Sequence, residues 1–596
     1  MGRDRPPSAA GAPFLVGAAL AAAALVGCGR ASKDRASPAA SVSVDAAAGS
    51  AARATTEPGD MHVRRLVHRA AYIPAQCYTV TAGQDGARAH NPCYVCHTRS
   101  EPPNFVDDAD LQETLSLPLV AMKNPWTNLF SPPVAHAAPS SDEETLAYVR
   151  QGNYFDGAGR IALAQAFKAL PAAWDGNGNG VWDGFVPDAW FRFDAQGFDH
   201  APDGAYTGWR AFAYYPFPGT FFPTNGSTDD VLVRLDPRLR EDTAGRFDAS
   251  VYAVNLAIVE ALVSRHDVAI DPVDERALGV DLDLDGRMGR TRRVAFDAAR
   301  DGTERTRMRY AGRAGSDTSL AIAPGLFPVG TEFLHSVRYL DVAADGTVAM
   351  AARMKELRYA KKVAWLTYKE LKAKAVTEAL DQAQSPDGAR DVAWERERGV
   401  YNGQGWFYQG FIEARDGSLR PQGFEETTFC VGCHGGVGAT TDGIFSFARK
   451  LGAASPAGGW FHWSQRPLKG FGEPTRADGQ YEYTLYLEQA GAGDELRENT
   501  EVIEKFFDAG HHLRADATAE LHRDVAFLLL PSRARAIDLD RAYRAVVAEQ
   551  SFDQGRDVVL HPTEHVYASA PLGAPTGIGH PVAALRLVTG RPPAGR

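Results

Sequence analysis

Three things are scarce in this chain of 596 residues. Positive charge is the first: 63 Lys and Arg stand against 74 Asp and Glu, a formal net charge of −11. Without a basic footprint there is no electrostatic case for a nucleic-acid partner, whereas a basic protein surface is compatible. Long apolar runs are the second. The longest is "FLVGAALAAAALVG", residues 14–27, which falls short of a comfortable membrane span, so no spanning helix is expected. Cysteine is the third, with Cys28, Cys77, Cys93, Cys96, Cys430 and Cys433 making up the full set. A fixed-period repeat is also missing, which argues against a duplicated domain.

The remaining composition is that of a globular protein, 44% hydrophobic and 23% charged, with 58 Gly and 36 Pro pointing to many turns and long ordered loops. The length exceeds one ordinary core and predicts two to four domains. Residues 1–27 form an export signal, with Arg3 and Arg5 ahead of the apolar run. The run ends in "LVGC", which resembles the lipobox of bacterial lipoproteins and implies acylation of Cys28. A simple cleaved signal is the alternative. Gly29 rather than Asp follows the cysteine, and by resemblance to lipoprotein sorting rules this favours the outer membrane, facing periplasm or cell surface. Residues 28–60, rich in Ala, Ser and Asp without periodicity, read as a flexible tether.

The remaining cysteines carry the chemistry. "CYVCH" at 93–97 returns as "CVGCH" at 430–434, and chance predicts about 0.002 such pentapeptides in a chain of this composition. The spacing suits covalent haem: two thiols three positions apart reach the two vinyl groups of one porphyrin, and the histidine that follows lies under the iron. Cys93, Cys96, His97 and Cys430, Cys433, His434 are therefore the expected attachment sites of two c-type haems. Zinc would need a second ligand pair nearby, and the two pairs lie 337 residues apart. A redox disulfide would not require His97 and His434. On these two motifs and the leader the chain resembles di-haem c-type cytochromes, a resemblance that identifies a cofactor class. Cys77 reads as a small buried hydrophobe near the first site or, alternatively, as a reactive thiol or iron ligand.

The expected fold is α+β and multidomain, with two loop-rich, mainly helical haem segments (61–150 and 351–596) flanking a mixed, strand-containing middle unit (151–350). Within it "RAFAYYPF", "DVLVRL" and "SVRYLDV" read as strands, and "DASVYAVNLAIVEALVSRH" as a helix capped by Asp248. A short helical pattern is expected in "MHVRRLVHRAAY", a helix at 141–151, one long solvated helix over 351–384, and further helices near 494–513, 516–529 and 537–549. Two stretches of the middle unit resemble calcium loops. "DGNGNGVWD" offers Asp175, Asn177, Asn179 and Asp183; "DLDLDGRMG" offers Asp281, Asp283 and Asp285. Alternating oxygens around a tight turn can converge on one hard cation, although Val186 and Arg292 stand where an EF-hand has its bidentate Glu, and an Asx-rich turn without metal is the alternative.

The sixth position of each iron decides between carrier and enzyme. His462, flanked by aromatics 28 residues beyond His434, is the first candidate distal ligand, with His511 and His512 next; His68, His90, His136 and Met122 are candidates at the first site. The favoured reading is a membrane-anchored cytochrome passing electrons between extracytoplasmic redox partner proteins. The alternative is a di-haem oxidoreductase of peroxidase or oxygenase type with one open site, and a calcium-dependent binding module that carries haem is a third.

Overall fold

Asp248 does what its side chain predicts: its carboxylate accepts from the backbone N–H groups of Ser250 and Val251 at 2.8 and 3.0 Å and starts a helix over Ala249–Ser264. Twelve of its sixteen residues are buried, so it is a core helix rather than an amphipathic one. The computed structural model describes residues 58–577 and 587–588, apart from 65, 81–92, 99–101, 105–112, 221, 299–302, 446, 477, 492–495 and 498. Cys28, the export signal and His90 lie outside the described residues.

A ten-stranded antiparallel sheet dominates the unit Thr56–Arg596. Its strands are β1 (Phe198–His200), β2 (Tyr206–Ala211), β3 (Thr228–Asp229), β4 (Leu232–Arg234), β7 (Glu332–Val342), β8 (Val348–Lys362), β9 (Ala393–Glu395), β10 (Gly399–Tyr401), β11 (Trp406–Glu413) and β12 (Leu419–Pro421). The order runs β1-β2-β4-β7-β8-β11-β10-β9, with β3 beside β7 and β12 beside β11. A separate pair, β5 (Val268–Asp274) and β6 (Arg290–Val294), holds the second calcium-like loop between its strands. The helices used below are α1 (Cys93–Cys96), α2 (Asp142–Arg150), α3 (Ala162–Ala166), α4 (Ala249–Ser264), α5 (Glu275–Leu278), α6 (Tyr368–Gln384), α7 (Phe424–Thr428) and α8 (Cys430–His434).

Mixed secondary structure is as expected; its partition differs. Residue 350, the expected boundary between middle and last segments, falls inside β8, which pairs with both β7 and β11. The middle and last segments therefore share one sheet. The first segment is joined to the chain's far end: Thr79 bridges Val566, Thr114 bridges Pro575 and Lys123 bridges Ser569. The expected helix over 351–384 divides into β8 and α6. In "MHVRRLVHRAAY" the described residues take turns rather than a helix.

Alternation along β7, β8 and β11 gives the sheet two distinct faces. Leu334, Leu357, Tyr359 and Phe411 pack one way, with Trp209 and Trp182. Phe333, Ala360, Trp406 and Tyr408 pack the other way, with Val431 of α8 and the α4 core. That second face positions the site.

Candidate functional site

The second pentapeptide is held by the sheet. Tyr408 of β11 places its ring 4.7 Å from the His434 ring, and Asn402 Nδ2 donates to the His434 carbonyl at 2.9 Å. His434 Nδ1 donates to the carbonyl of Gly443 at 2.7 Å. A carbonyl can only accept, so this bond puts the ring proton on Nδ1 and the lone pair on Nε2, the arrangement of a metal-ligating histidine. Burial pushes His434 down to about 4, against the pull of the Gly443 bond and aided by Arg358 and His335 nearby. The imidazole is therefore neutral at pH 7.

The Gly443 carbonyl is itself fixed by a buried ion pair. Asp442, with a left-handed φ of 53°, accepts from Lys362 Nζ at 2.7 Å and from the Phe327 N–H at 3.1 Å, and both side chains of the pair are fully buried. A charged pair out of water holds only with good geometry and added hydrogen bonds, which this one has.

The first pentapeptide forms the single turn α1, closed by the bond from His97 N–H to the Cys93 carbonyl at 2.8 Å. The fold sets the two motifs side by side. Ala439 N–H donates to the Cys96 carbonyl at 3.1 Å, and Asn104 Nδ2 reaches the carbonyls of Val437 and Thr440 at 3.0 and 3.1 Å. Two glycines permit the approach: a Cβ on Gly432 would stand 1.8 Å from the Tyr72 carbonyl oxygen, and one on Gly438 would stand 1.9 Å from that of Thr98. Gly432 within the second pentapeptide is thus a steric requirement.

Among the described residues no disulfide joins the cysteines Cys77, Cys93, Cys96, Cys430 and Cys433. Burial raises Cys77 well above the ordinary thiol range, with Cys93 and Cys433 close enough to add to the shift. Burial likewise raises Cys433 to about 11, and raises Cys430, while Arg358 opposes both. The fold thus brings Cys77, left over in the sequence, between the motifs. It also removes the sequence argument that 337 residues separate the thiol pairs. What counts against zinc is now geometry: among the described residues, no three Cys or His ligand atoms lie within 4.8 Å of one another. Single-turn thiol pairs and an oriented imidazole fit a c-type haem.

His462 has another role. Its Nε2 is 3.0 Å from Asp230 Oδ2, its Nδ1 2.7 Å from Ser464 Oγ, and its ring stacks 4.6 Å from Phe193. Aromatic flanks signalled burial correctly, and with both nitrogens engaged the side chain is a hydrogen-bonded core residue here. His512 is 82% exposed and lies in a turn with His511. His136, 60% exposed, pairs with Glu549 at 2.7 Å. The residue that sequence reasoning missed is His335, in "EFLHSVRYLDV": it sits in β7 opposite Arg358 and is near enough to His434 to influence its protonation. Its one signal was a polar residue on a strand facing the motif.

The calcium-like loops differ from each other. In the first, the Asp175 carboxylate accepts from the N–H groups of Gly178, Asn179 and Gly180, and Asn177 and Asn179 donate to Asp183, as in an Asx-rich turn; the buried Glu397 closes it by accepting from Gly176 and Asp183. In the second, Asp281 and Asp283 converge with Glu275 of α5, all three within 4.8 Å, and Asp285 is not among them. Glu275 precedes the loop, which is why the spacing did not reveal it.

A cavity of about 1170 Å³ opens beside both motifs. Val95 of the first motif and Thr98 just after it line the cavity, Thr441 and Phe445 line it from the loop that follows the second motif, and Arg210 and Lys450 add charge.

Among the described residues no helix is long and apolar enough to cross a membrane. A family described as "-like lipoprotein" matches residues 65–524. An "Uncharacterized lipoprotein" of Aquifex aeolicus (strain VF5) is 30% identical over 545 residues, covering 82% of this chain and 85% of that protein. No solved structure matches the chain. The matched stretch takes in both pentapeptides and the whole sheet, and on this extent of likeness the chain belongs to this lipoprotein family.

Proposed function

We propose that the protein is a lipid-anchored envelope protein that passes electrons between extracytoplasmic redox partner proteins through two covalent c-type haems. The observation that carries this reading is the approach of the two motif regions, with Cys96 of the first pentapeptide bonded backbone to backbone to Ala439 in the loop that follows the second, and with His434 oriented through Gly443. Attachment needs no oxidant: each S–H of Cys93, Cys96, Cys430 and Cys433 adds across one vinyl C=C, sulfur to one carbon and hydrogen to the other. Once bound, the groups supply one-electron exchange. The chain's own part would be to hold the groups through Cys93, Cys96 and His97 and through Cys430, Cys433 and His434, to exclude water with aromatic residues such as Tyr408, and to keep the two sites close together.

Adjacency makes the test specific. In the oxidised full chain the two irons should perturb each other's paramagnetic resonance, and Cys93→Ala or Cys430→Ala should each abolish the coupling while leaving one haem. Two magnetically independent irons would overturn the relay. The cavity beside both motifs favours a second reading, an oxidoreductase with an open iron; steady turnover of peroxide by the wild type would select it. The anchor is Cys28, and Cys28→Ser should move the protein from the membrane to the soluble fraction. The outer membrane is the membrane proposed. Calcium is proposed at Glu275, Asp281 and Asp283, in a structural role, so chelator should lower the melting temperature and added calcium restore it.

A further inference from the structure

Charge is out of balance on one wall of the large cavity. Among the described residues that line it there is no cysteine or histidine of either pentapeptide, so the wall is built by other groups. At about 1170 Å³ it has room for a small molecule, since ligand sites commonly hold about 300–1,000 Å³. Phe198, Phe217, Ala253, Val254 and Ala257 give it an apolar lining.

Three buried cations stand on this wall, Arg210, Arg449 and Lys450, none more than 6% exposed. Two of them are neutralised. Arg449 donates from Nη1 and Nη2 to the two carboxylate oxygens of Glu482, at 2.8 Å each, and Lys450 donates to Glu260 Oε1 at 2.9 Å and to the Gly458 carbonyl at 2.6 Å. Arg210 of β2 differs. Its Nε donates to the Gln196 carbonyl at 2.9 Å, and among the described residues its other two guanidinium nitrogens have no hydrogen-bond partner and no carboxylate pairs with it. Its Cζ lies 4.4 Å from the centre of the Phe198 ring and 3.9 Å from that of Trp460. Stacking on two rings fixes the plane of the guanidinium and leaves its outer edge for a ligand. Burial lowers Arg210 to about 10, opposed by Tyr252, Glu260, Asp194 and Asp271, so it keeps its charge at pH 7. The acidic residues lining the cavity from β5 and the residue before it, Asp271 and Asp267, are exposed, and Asp267 is bonded to Arg293 at 2.9 Å. A buried charge without a partner is costly, and an anion in the cavity would remove that cost.

We propose that this cavity binds a small organic acid, a monocarboxylate with an apolar body, whose carboxylate accepts from the two unpartnered nitrogens of Arg210. The planar fork of the guanidinium matches a carboxylate in bidentate fashion. One uncompensated positive charge calls for one negative charge, and a dianionic phosphate would leave a charge of its own unbalanced. Ligand binding of this kind goes beyond electron transfer and does not depend on haem attachment.

Isothermal titration calorimetry on the full chain tests it, with 3-phenylpropionate as the probe and 3-phenylpropionamide as its uncharged counterpart. The acid should bind at one site, about 30-fold more tightly than the amide, as expected of hydrogen bonds to a charged group. Arg210→Met keeps an unbranched side chain beside Phe198 and Trp460 and removes the charge, so it should weaken the acid by about the same factor and leave the amide unchanged. Should that variant not fold, the comparison of acid with amide on the wild type decides alone. Equal binding of acid and amide, no binding of either, or unchanged acid binding in folded Arg210→Met would overturn the proposal. A haem propionate is a second source of carboxylate, so the titration is run on the chain produced with and without haem maturation. Acid binding in both preparations supports a free ligand; binding lost once haem is attached would give Arg210 to the propionate and overturn the proposal.

Discussion

The two pentapeptides have one spacing and two kinds of support. The second rests on the ten-stranded sheet: Val431 enters the core with Phe333, Trp406 and Tyr408, and Gly432 admits the Tyr72 carbonyl where no side chain would fit. Among the described residues no strand packs under the first. Tyr94 and Val95 plug instead into a helical cluster with Phe222, Tyr483, Tyr486 and Phe506, and the surrounding turns are tied to the last part of the chain. A site on a sheet is fixed by many cooperative bonds, whereas one held by turns and a distant segment depends on a few. We therefore expect the second site to fail by disruption of packing beneath it and the first by loss of single ties.

Four substitutions break that comparison, in descending order of effect. Lys362→Met strands the buried Asp442 without its cation and should cost about 3–5 kcal/mol in urea denaturation, while also loosening the Gly443 carbonyl that orients His434. Gly432→Ala pushes a methyl group against a backbone carbonyl and should cost about 3 kcal/mol; in the first motif the reverse change, Val95→Ala, leaves a void and should cost about 1–2 kcal/mol. Asn128→Ala removes bonds to the carbonyls of Ser551 and Gly555, at 3.1 and 2.8 Å, and should cost about 1 kcal/mol; exchange of amide hydrogens should quicken around 70–130 before it does in β7 or β8.

The smallest effect is a matter of pH. Glu425 of α7 ties the second motif to the first segment by accepting from Val67 and His68 at 2.6 and 2.9 Å. Burial raises it to about 7, against those bonds. The native state holds this proton more tightly than the unfolded chain, so the stability it contributes is complete below the ordinary value of 4.5 and is lost as pH rises through 7. Between pH 5 and 8 the wild type should lose just under about 1 kcal/mol more than Glu425→Gln, an amount discounted for partial exposure. Equal slopes for the two proteins would remove Glu425 as the cause.

What was legible in the sequence was local. The pentapeptides, the Asp248 cap and the helix Asp142–Arg150, begun by a Ser141–Glu144 capping box, follow from neighbours in the chain. Residues 351–362 misled because strands are expected to alternate polar and apolar, and here charged residues face inward. Arg353 pairs with Glu413, Glu356 with Arg358 and Arg556, and Lys362 with Asp442, while Lys355 donates to the Gly226 carbonyl and lies over the rings of Tyr339 and Tyr543. A stretch whose charges find partners hundreds of residues away reads as a solvated helix when those partners cannot be seen. The same blindness hid the approach of the motifs, the nearness of His335 to His434, and Glu275 at the second calcium-like loop. His462 was placed correctly as buried, and its bond to Asp230 could not be read because Asp230 is 232 residues distant.

The attachment of two haems is the claim on which the relay stands, and the mass of the denatured chain tests it most directly. Produced with a c-type maturation system, the full-length protein should retain two haem masses after unfolding, and Cys93→Ala and Cys430→Ala should each lose the thioether from its own motif while the other motif keeps its haem. A denatured chain at its unmodified polypeptide mass, with the pigment released, would contradict the account.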